Sequence, residues 1–288
     1  MVKKALLIGI NYMNTDYELN GCINDINNIN QFLVNYCEYL PKNIHILTEK
    51  TKILPTKDNI IDNISWLLKD VHENDTLFFY YSGHGTYTKD SNKDESDKRD
   101  EEIVPLDVDK KGEITDDWLY TNLVSKVPQK TNLWCFFDSC HSGTVLDLMY
   151  NCISKCSYKN KKDRKDKKLQ KESFIYNSSE WSDKFKISQE KSKNILGNVC
   201  EFSGCQDKQT SDDTTEENVN QGAFTFCFLK FLNNHLIEEN GRKKFSSGTI
   251  KLKEVLKEIN AFLDVYGYKQ NSQLSVGNES DFDKFFTL

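Results

Sequence analysis

The chain has 288 residues and a formal net charge of −6, with 38% hydrophobic and 28% charged residues, which is the composition of a globular protein with a hydrophobic core. The negative balance argues against a general nucleic-acid binder, and no apolar run approaches the roughly 18 residues of a membrane helix. The apolar stretch after Lys4 is too short for a signal peptide, so we expect an intracellular, cytoplasmic protein whose nine cysteines are reduced thiols.

Short apolar runs alternate with helical patterns along the chain. The apolar runs are rich in β-branched and aromatic residues and predict buried strands at Ala5–Ile10, Ile44–Leu47, Thr76–Tyr81, Leu133–Phe137 and Asn198–Phe202. Apolar residues at helix spacing predict helices at Asp25–Phe32, Thr56–Leu68, Trp118–Val124, Thr225–Leu236 and Leu252–Phe262. This order predicts an α/β fold, with a central, mostly parallel β-sheet flanked by helices on both faces.

Two blocks of opposite charge interrupt this pattern. Nine Lys or Arg residues and two Asp lie between Lys155 and Lys171, whereas twelve carboxylates and five basic residues lie between Asp90 and Asp117. Such blocks are commonly solvated loops. The region Cys152–Leu196 has weak periodicity and is rich in Lys, Ser and Asn, which predicts a long insertion or linker.

Two of the predicted strands lead into residues that can carry chemistry. One strand runs into Ser82–Gly85, and another runs into Asp138–Gly143. In open α/β sheets, sites form at the carboxyl ends of the strands, so His84 and Cys140 can meet although they are far apart in sequence. A cysteine nucleophile needs a group that takes its proton and later protonates the leaving amine, and imidazole titrates in the right range. Flanking glycines allow sharp turns that leave N–H groups for an oxyanion.

Other interpretations of these residues stay open at this stage. A cysteine at a strand end is commonly a small buried hydrophobe, as we expect for Cys135, Cys200 and Cys227. A histidine between glycines can simply cap a turn. Cys140 and His141 could also ligate zinc, but no CxxC or HxxxH partner has the spacing of a zinc site.

The joint pattern resembles the metacaspases, cysteine peptidases with a caspase-like fold. Matching segments extend over nearly the whole chain: Ala5–Tyr12, Leu19–Asp25, Tyr81–Gly85, Ile103–Asp107, Ile114–Asp117, Asp138–Gly143, Phe202–Ser211 and Gly222–Thr225. The resemblance implies one caspase-like peptidase domain over residues 1–288. It divides into a large-subunit-like region (1–151), a basic linker (152–196) and a small-subunit-like region (197–288). It also implies a monomer.

The chain departs from the family pattern at two points. Ser139 stands where many members have a second cysteine, so there is no doubt which of two neighbouring thiols attacks. The chain also begins at its first predicted strand, so we expect a form without the Pro-rich N-terminal extension of many members.

The resemblance implies the catalytic roles. Cys140 is the nucleophile, His84 is the general base and acid, and the N–H groups of Gly85 and Cys140 bind the oxyanion. His141 is expected to be structural.

The resemblance also implies an acidic substrate pocket. Asp25 and Asp138 map to it, with Cys22 and Ser82 nearby. Two carboxylates in a partly buried pocket favour a long cation, so we expect peptide or protein substrates cleaved after Arg or Lys. Arg is the expected preference because its guanidinium binds carboxylates in a bidentate manner. The plainer alternative is that Asp25 is a polar residue in a first helical turn and Asp138 a turn residue.

Four carboxylates align with the calcium-binding positions of the family, namely Asp100, Asp116, Asp117 and Asp147. Calcium prefers about 6–8 oxygen ligands, and a cation there would offset the repulsion between carboxylates and order the loop after Cys140. We therefore expect activation by Ca²⁺; isolated surface acids are the alternative.

The basic segment Lys155–Lys171 would be an accessible target for a protease that cuts after basic residues. We expect self-cleavage within it, the alternative being a solvated linker that is never cut. A nucleic-acid or acidic-partner role for the segment has no support from interleaved aromatic residues.

The leading expectation is thus a calcium-dependent cysteine endopeptidase that cleaves after Arg or Lys. One rival is a catalytically inactive, protease-derived scaffold that binds basic segments, which would not need the full set of His84, Cys140, Asp25 and Asp138. A second rival is a caspase proper, against which the acidic pocket argues. A zinc protein without peptidase activity is a distant third.

Overall fold

The computed structural model describes residues 1–89, 99–140, 145–157, 180–187, 195–204, 213–216 and 219–288. The predictions for His141 and for most of the segment 155–171 lie outside the described residues.

The five predicted strands and the five predicted helices are present, and further strands accompany them. The strands are β1 (Lys3–Gly9), β2 (Ile44–Leu47), β3 (Thr76–Ser82), β4 (Gly85–Lys89), β5 (Arg99–Ile103), β6 (Ile114–Thr115), β7 (Asn132–Asp138), β8 (Tyr150–Ser157), β9 (Glu180–Ile187), β10 (Asn198–Ser203), β11 (Asp213–Glu216), β12 (Val219–Gly222), β13 (Leu236–Glu239), β14 (Arg242–Phe245) and β15 (Gln273–Val276). The helices are α1 (Cys22–Tyr36), α2 (Lys57–Leu68), α3 (Val108–Lys111), α4 (Asp116–Asn122), α5 (Ala223–Asn234) and α6 (Leu252–Tyr266).

Eight of these strands form one mixed sheet in the order β2-β1-β3-β7-β10-β15-β8-β9. The neighbours from β2 to β10 pair in parallel, and the remaining pairs are antiparallel. The α/β fold with a mostly parallel sheet is therefore confirmed. Among the described residues, no helix is both long enough and apolar enough to cross a membrane.

Alternation along the strands separates two hydrophobic cores, one on each face of the sheet. Phe78, Tyr80 and Phe136 belong to the core covered by α1, α5 and α6, whereas Phe79 and Phe137 belong to the core covered by α2 and α4. Phe136 stacks on Phe78 with a centroid distance of 4.9 Å. Burying each such side chain contributes roughly 1.5–3 kcal/mol, so both faces hold the strands in place.

Two helix ends show the expected capping chemistry. In α4, the hydroxyl of Thr115 accepts the N–H of Trp118 at 3.2 Å, which is the usual N-cap arrangement. Helix α6 ends at Gly267, whose φ of 88° is in the left-handed region that favours glycine.

Two strands lie in the region that the sequence predicts to be a linker. Strand β8 crosses the boundary at 151/152, and both β8 and β9 belong to the main sheet. Strand β9 is at the edge of the sheet, and its Phe185 and Ile187 are exposed. Strand β9 has four charged residues among its eight, so it lacks the apolar run of a buried strand, which explains why the sequence pattern did not predict it.

Parallel pairing places the ends of β3 and β7 side by side. Ser82 pairs with Asp138 in the register of the two strands. The loops that carry His84 and Cys140 therefore leave the sheet together, at its carboxyl edge.

Candidate active site

The His84 loop and the Cys140 loop are in contact. The N–H of Gly83 donates to the carbonyl oxygen of Asp138 at 3.3 Å. A Cβ placed on Gly85 would lie 2.0 Å from the carbonyl oxygen of Cys140, so this approach requires a glycine. The structure thus brings the loop of His84 and Gly85 into contact with the loop of Cys140.

Two buried tyrosines hold the backbone of His84. The hydroxyl of Tyr12 accepts the N–H of His84 at 3.0 Å, and the hydroxyl of Tyr81 donates to the carbonyl oxygen of His84 at 2.7 Å. The hydroxyl of Tyr12 donates to the carbonyl oxygen of Val104 at 2.7 Å. Burial raises the pKa of both tyrosines above the ordinary value, so they stay protonated and can donate.

The imidazole of His84 is held at one nitrogen and on one face. Its Nε2 lies 2.7 Å from the carbonyl oxygen of Tyr17, and its ring packs on Tyr12 with a centroid distance of 4.7 Å. A carbonyl oxygen can only accept, so Nε2 carries the proton. The other nitrogen, Nδ1, is then the basic one.

Cys140 differs in burial from six other cysteines of the described residues. It is half-buried, whereas Cys22, Cys37, Cys135, Cys152, Cys200 and Cys227 are buried. The prediction that Cys135, Cys200 and Cys227 are core residues is confirmed. Burial raises the pKa of Cys135 and of Cys200 well above the ordinary value, so these thiols are inert at neutral pH.

Asp25 is a fully buried carboxylate next to the end of β3. It lies in the first turn of α1, one turn after Cys22, and its exposed fraction is 0%. The hydroxyl of Ser82 donates to its Oδ2 at 2.8 Å. The N–H of Gly222 donates to its Oδ1 at 3.0 Å. The predicted pocket residues Cys22, Asp25 and Ser82 are therefore close together.

Asp138, at the end of β7, is also buried, with 5% of its surface exposed. Its Oδ2 accepts the N–H and the hydroxyl of Thr225 at 2.8 Å and 2.7 Å. A Cβ on Gly222 would lie 2.0 Å from the same oxygen. Gly222 is thus packed between Asp25 and Asp138, and the two pocket carboxylates are neighbours.

Three of the four predicted calcium ligands form a cluster. Ligand oxygens of Asp116, Asp117 and Asp147 lie within 4.8 Å of one another. Asp116 is fixed by hydrogen bonds, because its Oδ2 accepts the N–H of Glu101 at 2.9 Å. Carboxylate oxygens are the type of ligand that calcium prefers.

Asp100 does not belong to this group of three. It is buried on β5, where it pairs with Thr88 of β4, and it is the neighbour of Glu101 in sequence. Burial raises the pKa of the nearby Glu102 carboxyl, and Glu113 and Asp100 raise it further. This edge of the molecule is therefore strongly anionic.

A cavity lies at the opposite edge of the sheet. It has a volume of about 680 Å³ and is lined by residues that begin the strands, among them Lys3, Thr76 and Asn132. The ammonium of Lys3 donates to the carbonyl oxygens of Cys37 and Leu288. This cavity contains none of the predicted catalytic residues.

Several residues of the site have roles that the sequence reasoning did not assign. They are Tyr12, Tyr17, Tyr81, Gly222 and Thr225. All except Tyr17 lie in the segments that matched the metacaspase pattern. The matching segments therefore pointed to these residues, but only the tertiary contacts show what each of them binds.

Comparison with known proteins shows which family the sequence resembles. The model of the metacaspase peptidase C14 domain matches residues 3–149. Metacaspase-1 of Candida albicans is 37% identical over 97% of this chain, and metacaspase-1 of Candida glabrata is 39% identical over 80% of it. The chain belongs to the metacaspase family. It spans 66% and 64% of the lengths of these two relatives.

A solved structure supports the fold of this family member. A protein from Geobacter sulfurreducens aligns over 100% of both chains with a TM-score of 0.62 and 23% sequence identity. Identity this low supports the shared architecture and nothing finer.

Proposed function

We propose that the chain is a cysteine endopeptidase that uses Cys140 as nucleophile and His84 as general base and acid. The observation that supports this is the contact between Gly85 and the carbonyl of Cys140, together with the hydrogen bond from His84 to Tyr17. The first joins the two catalytic loops, and the second leaves Nδ1 of His84 as the basic nitrogen.

The chemical steps follow from these residues. Nδ1 of His84 takes the proton of the Cys140 thiol, and the sulfur attacks the carbonyl carbon of the scissile bond. The N–H groups of Gly85 and Cys140 bind the oxyanion that forms. His84 then protonates the leaving amine, and the acyl group stays on sulfur as a thioester. A water molecule, deprotonated by His84, hydrolyses the thioester and restores the thiol.

The proposed substrates have Arg or Lys before the scissile bond. Asp25 and Asp138 are buried and adjacent through Gly222. Two buried carboxylates favour a cation over a neutral or acidic side chain, because an uncompensated buried charge is unfavourable. Cleavage after Asp, as expected of a caspase proper, would place a third carboxylate beside them.

Calcium is the proposed activating ion. Asp116, Asp117 and Asp147 would hold it, with Asp100 close to them in the same anionic edge. Asp147 follows the Cys140 loop in the chain, so fixing Asp147 restricts that loop. The positive charge of the ion would offset the repulsion between these carboxylates.

Self-cleavage between Lys155 and Lys171 is the proposed processing step. Strand β8 lies before most of this segment, and β9 and β10 lie after it. Both pieces would therefore contribute strands to one sheet, and we expect them to stay associated after a cut.

Matched fluorogenic peptides ending in Arg, Lys or Asp test the proposal. The wild type is assayed with Ca²⁺, with Mg²⁺ and with a chelator, beside Cys140→Ala. We expect Ca²⁺-dependent release after Arg and Lys that is lost in the variant. Activity that persists in Cys140→Ala, or release only after Asp, would contradict the assignment.

Two controls separate the rival roles. Cys140→Ser keeps the pocket and reports binding of an Arg peptide separately from cleavage. If Cys140→Ser binds the peptide and the wild type does not cleave it, the inactive scaffold is favoured. Gel analysis of the wild type and Cys140→Ala with Ca²⁺ detects self-cleavage. An identical pattern for both proteins would contradict it.

A further inference from the structure

A chain of hydroxyl groups leads from the sheet to Asp138. The hydroxyl oxygen of Tyr80 lies 2.7 Å from the hydroxyl oxygen of Thr225. Thr225 in turn donates its hydroxyl to Oδ2 of Asp138 at 2.7 Å. Tyr80 and Thr225 are both fully buried, with 0% exposed, so water cannot replace these hydrogen bonds.

The direction of each hydrogen bond in this chain is fixed. Oδ2 of Asp138 accepts the N–H of Thr225, so this oxygen is an acceptor and the hydroxyl of Thr225 donates to it. The hydroxyl of Thr225 therefore accepts from Tyr80. Burial raises the pKa of Tyr80 well above its ordinary value, and Asp138 and Asp25 add to the shift. Tyr80 therefore stays protonated and remains a donor.

The amino end of α5 supplies the rest of the support. The N–H of Thr225 donates to Asp138 at 2.8 Å, and the N–H of Gly222 donates to Asp25 at 3.0 Å. The amino end of a helix carries a partial positive charge, which favours ionised carboxylates. Both pocket carboxylates thus have a counter-charge that is part of the fold.

The orientation of Asp138 is consequently fixed before any substrate binds. An arginine side chain binds a carboxylate through two parallel N–H groups and needs the carboxylate plane in one orientation. A lysine ammonium is a compact charge that tolerates rotation of the carboxylate. A fixed plane therefore favours Arg over Lys.

We propose that Thr225 and Tyr80 are positioning residues that hold Asp138 ionised and in one orientation, and so set the preference for Arg over Lys. This inference rests on the proposed function, because it takes Asp25 and Asp138 as the substrate pocket. Neither Thr225 nor Tyr80 touches the substrate in this account.

Ionisation of Asp138 responds to groups on several elements. Of the described residues, Asp25 of α1 lies on the other side of Gly222 from Asp138, and Cys22 of α1 lies near Tyr80. Tyr80 of β3 reaches Asp138 through the hydroxyl of Thr225, while α5 faces Asp138 with Thr225 and the Gly222 backbone. Asp25 opposes ionisation of Asp138, and the donors of α5 favour it. Loss of the Thr225 hydroxyl therefore shifts ionisation of the pocket to higher pH.

Thr225→Val, Thr225→Ser and Tyr80→Phe test the proposal. For Thr225→Val we expect kcat/KM on the Arg peptide to fall about tenfold, mainly through KM, since one hydrogen bond to a charged group is lost. The Lys peptide should lose less, so the Arg-to-Lys ratio falls. The acid limb of the pH profile should move to higher pH. Thr225→Ser should restore the Arg-to-Lys ratio and the acid limb to their wild-type values. Tyr80→Phe should change both in the same direction as Thr225→Val, but less.

The outcomes separate this inference from the function on which it rests. A wild type that does not cleave after Arg or Lys overturns both. A wild type that cleaves after Arg, together with a Thr225→Val protein of unchanged ratio and unchanged acid limb, overturns the inference alone. Should Thr225→Val fail to fold, an unchanged ratio and acid limb in Tyr80→Phe overturns it equally.

Discussion

Gly85 and Cys140 lie so close that no side chain fits between their backbones. A Cβ on Gly85 would be 2.0 Å from the carbonyl oxygen and 3.2 Å from the carbonyl carbon of Cys140. These are main-chain atoms, so rotating a side chain cannot relieve the contact. Gly85 has a hydrogen atom where every other residue has a Cβ. The spacing of the two loops, and with it the distance across the proposed oxyanion site, therefore depends on glycine at this position.

Gly85→Ala should therefore abolish most of the activity. We expect kcat/KM to fall by about 100-fold or more, because the loops must separate and the oxyanion donors move. Unfolding free energy should fall by about 1–3 kcal/mol, as in other overpacked sites. Peptide hydrolysis and thermal unfolding measure the two effects. Thr86→Ala, at the next residue, is the control, and near-normal activity of Gly85→Ala would contradict the prediction.

Tyr12→Phe should impair catalysis without changing the substrate pocket. The variant loses the acceptor for the N–H of His84 but keeps the ring against the imidazole. We expect kcat to fall roughly tenfold through the loss of a buried hydrogen bond of about 1–3 kcal/mol, with KM unchanged.

Tyr39→Phe is the matched control for that variant. Tyr39 is buried too, but its hydroxyl has no hydrogen-bond partner among the described residues. Removing this hydroxyl should leave kcat unchanged. Equal loss of activity in both variants would show that Tyr12 has no special relation to His84.

Asp147→Asn should have opposite effects on stability with and without calcium. Asn tolerates the φ of 54° that Asp147 adopts, so the turn is preserved. Without a divalent ion, removing one of three mutually repelling carboxylates should raise Tm. With Ca²⁺ at about 100 times Kd, the wild type should gain about 2.7 kcal/mol, and the variant should gain much less.

Differential scanning calorimetry with Ca²⁺, Mg²⁺ and chelator measures these shifts. Asp109→Asn, which removes an exposed carboxylate on α3, is the control and should respond to Ca²⁺ as the wild type does. A Ca²⁺ shift of full size in Asp147→Asn would rule out Asp147 as a ligand.

Alkylation of the native protein should distinguish Cys140 from the core thiols. Burial raises the pKa of Cys37 to about 12 and that of Cys152 to about 11. At pH 8 about one part in ten thousand of Cys37 is thiolate. We expect iodoacetamide to label Cys140 first, as read by peptide mass spectrometry. Rapid labelling of Cys37 at pH 8 would contradict this.

The same shifts predict a loss of stability at alkaline pH. The ordinary pKa of a cysteine thiol, taken for the unfolded chain, is 9.0, and the pKa values of Cys37 and Cys152 in the folded protein are higher. Their contribution to stability is fully present below pH 9 and is lost as the pH rises through the folded values. Cys37→Ala and Cys152→Ala should each reduce that alkaline loss of Tm, and an unchanged alkaline slope would contradict the assignment.

The sequence by itself determined the α/β class and the order of the buried parallel strands, and it singled out the residues for which catalysis is proposed. Buried parallel strands need continuous apolar runs, so Thr76–Ser82 and Asn132–Asp138 were recognisable. The residues at the ends of such strands share one edge of the sheet, which allowed His84 and Cys140 to be paired in advance. The apolar pattern did not predict strand β9, because an exposed edge strand does not need a continuous apolar run.

Only the tertiary structure decided which groups support the reactive ones. The hydrogen bond between Gly222 and Asp25 joins residues 197 positions apart, and no local periodicity encodes such a contact. Likewise, Tyr80 and Tyr81 are adjacent in sequence but face opposite cores, so one supports Asp138 and the other His84. Propensity and pattern are properties of neighbours along the chain, whereas orientation of a buried polar group depends on whichever distant donor the packing brings to it.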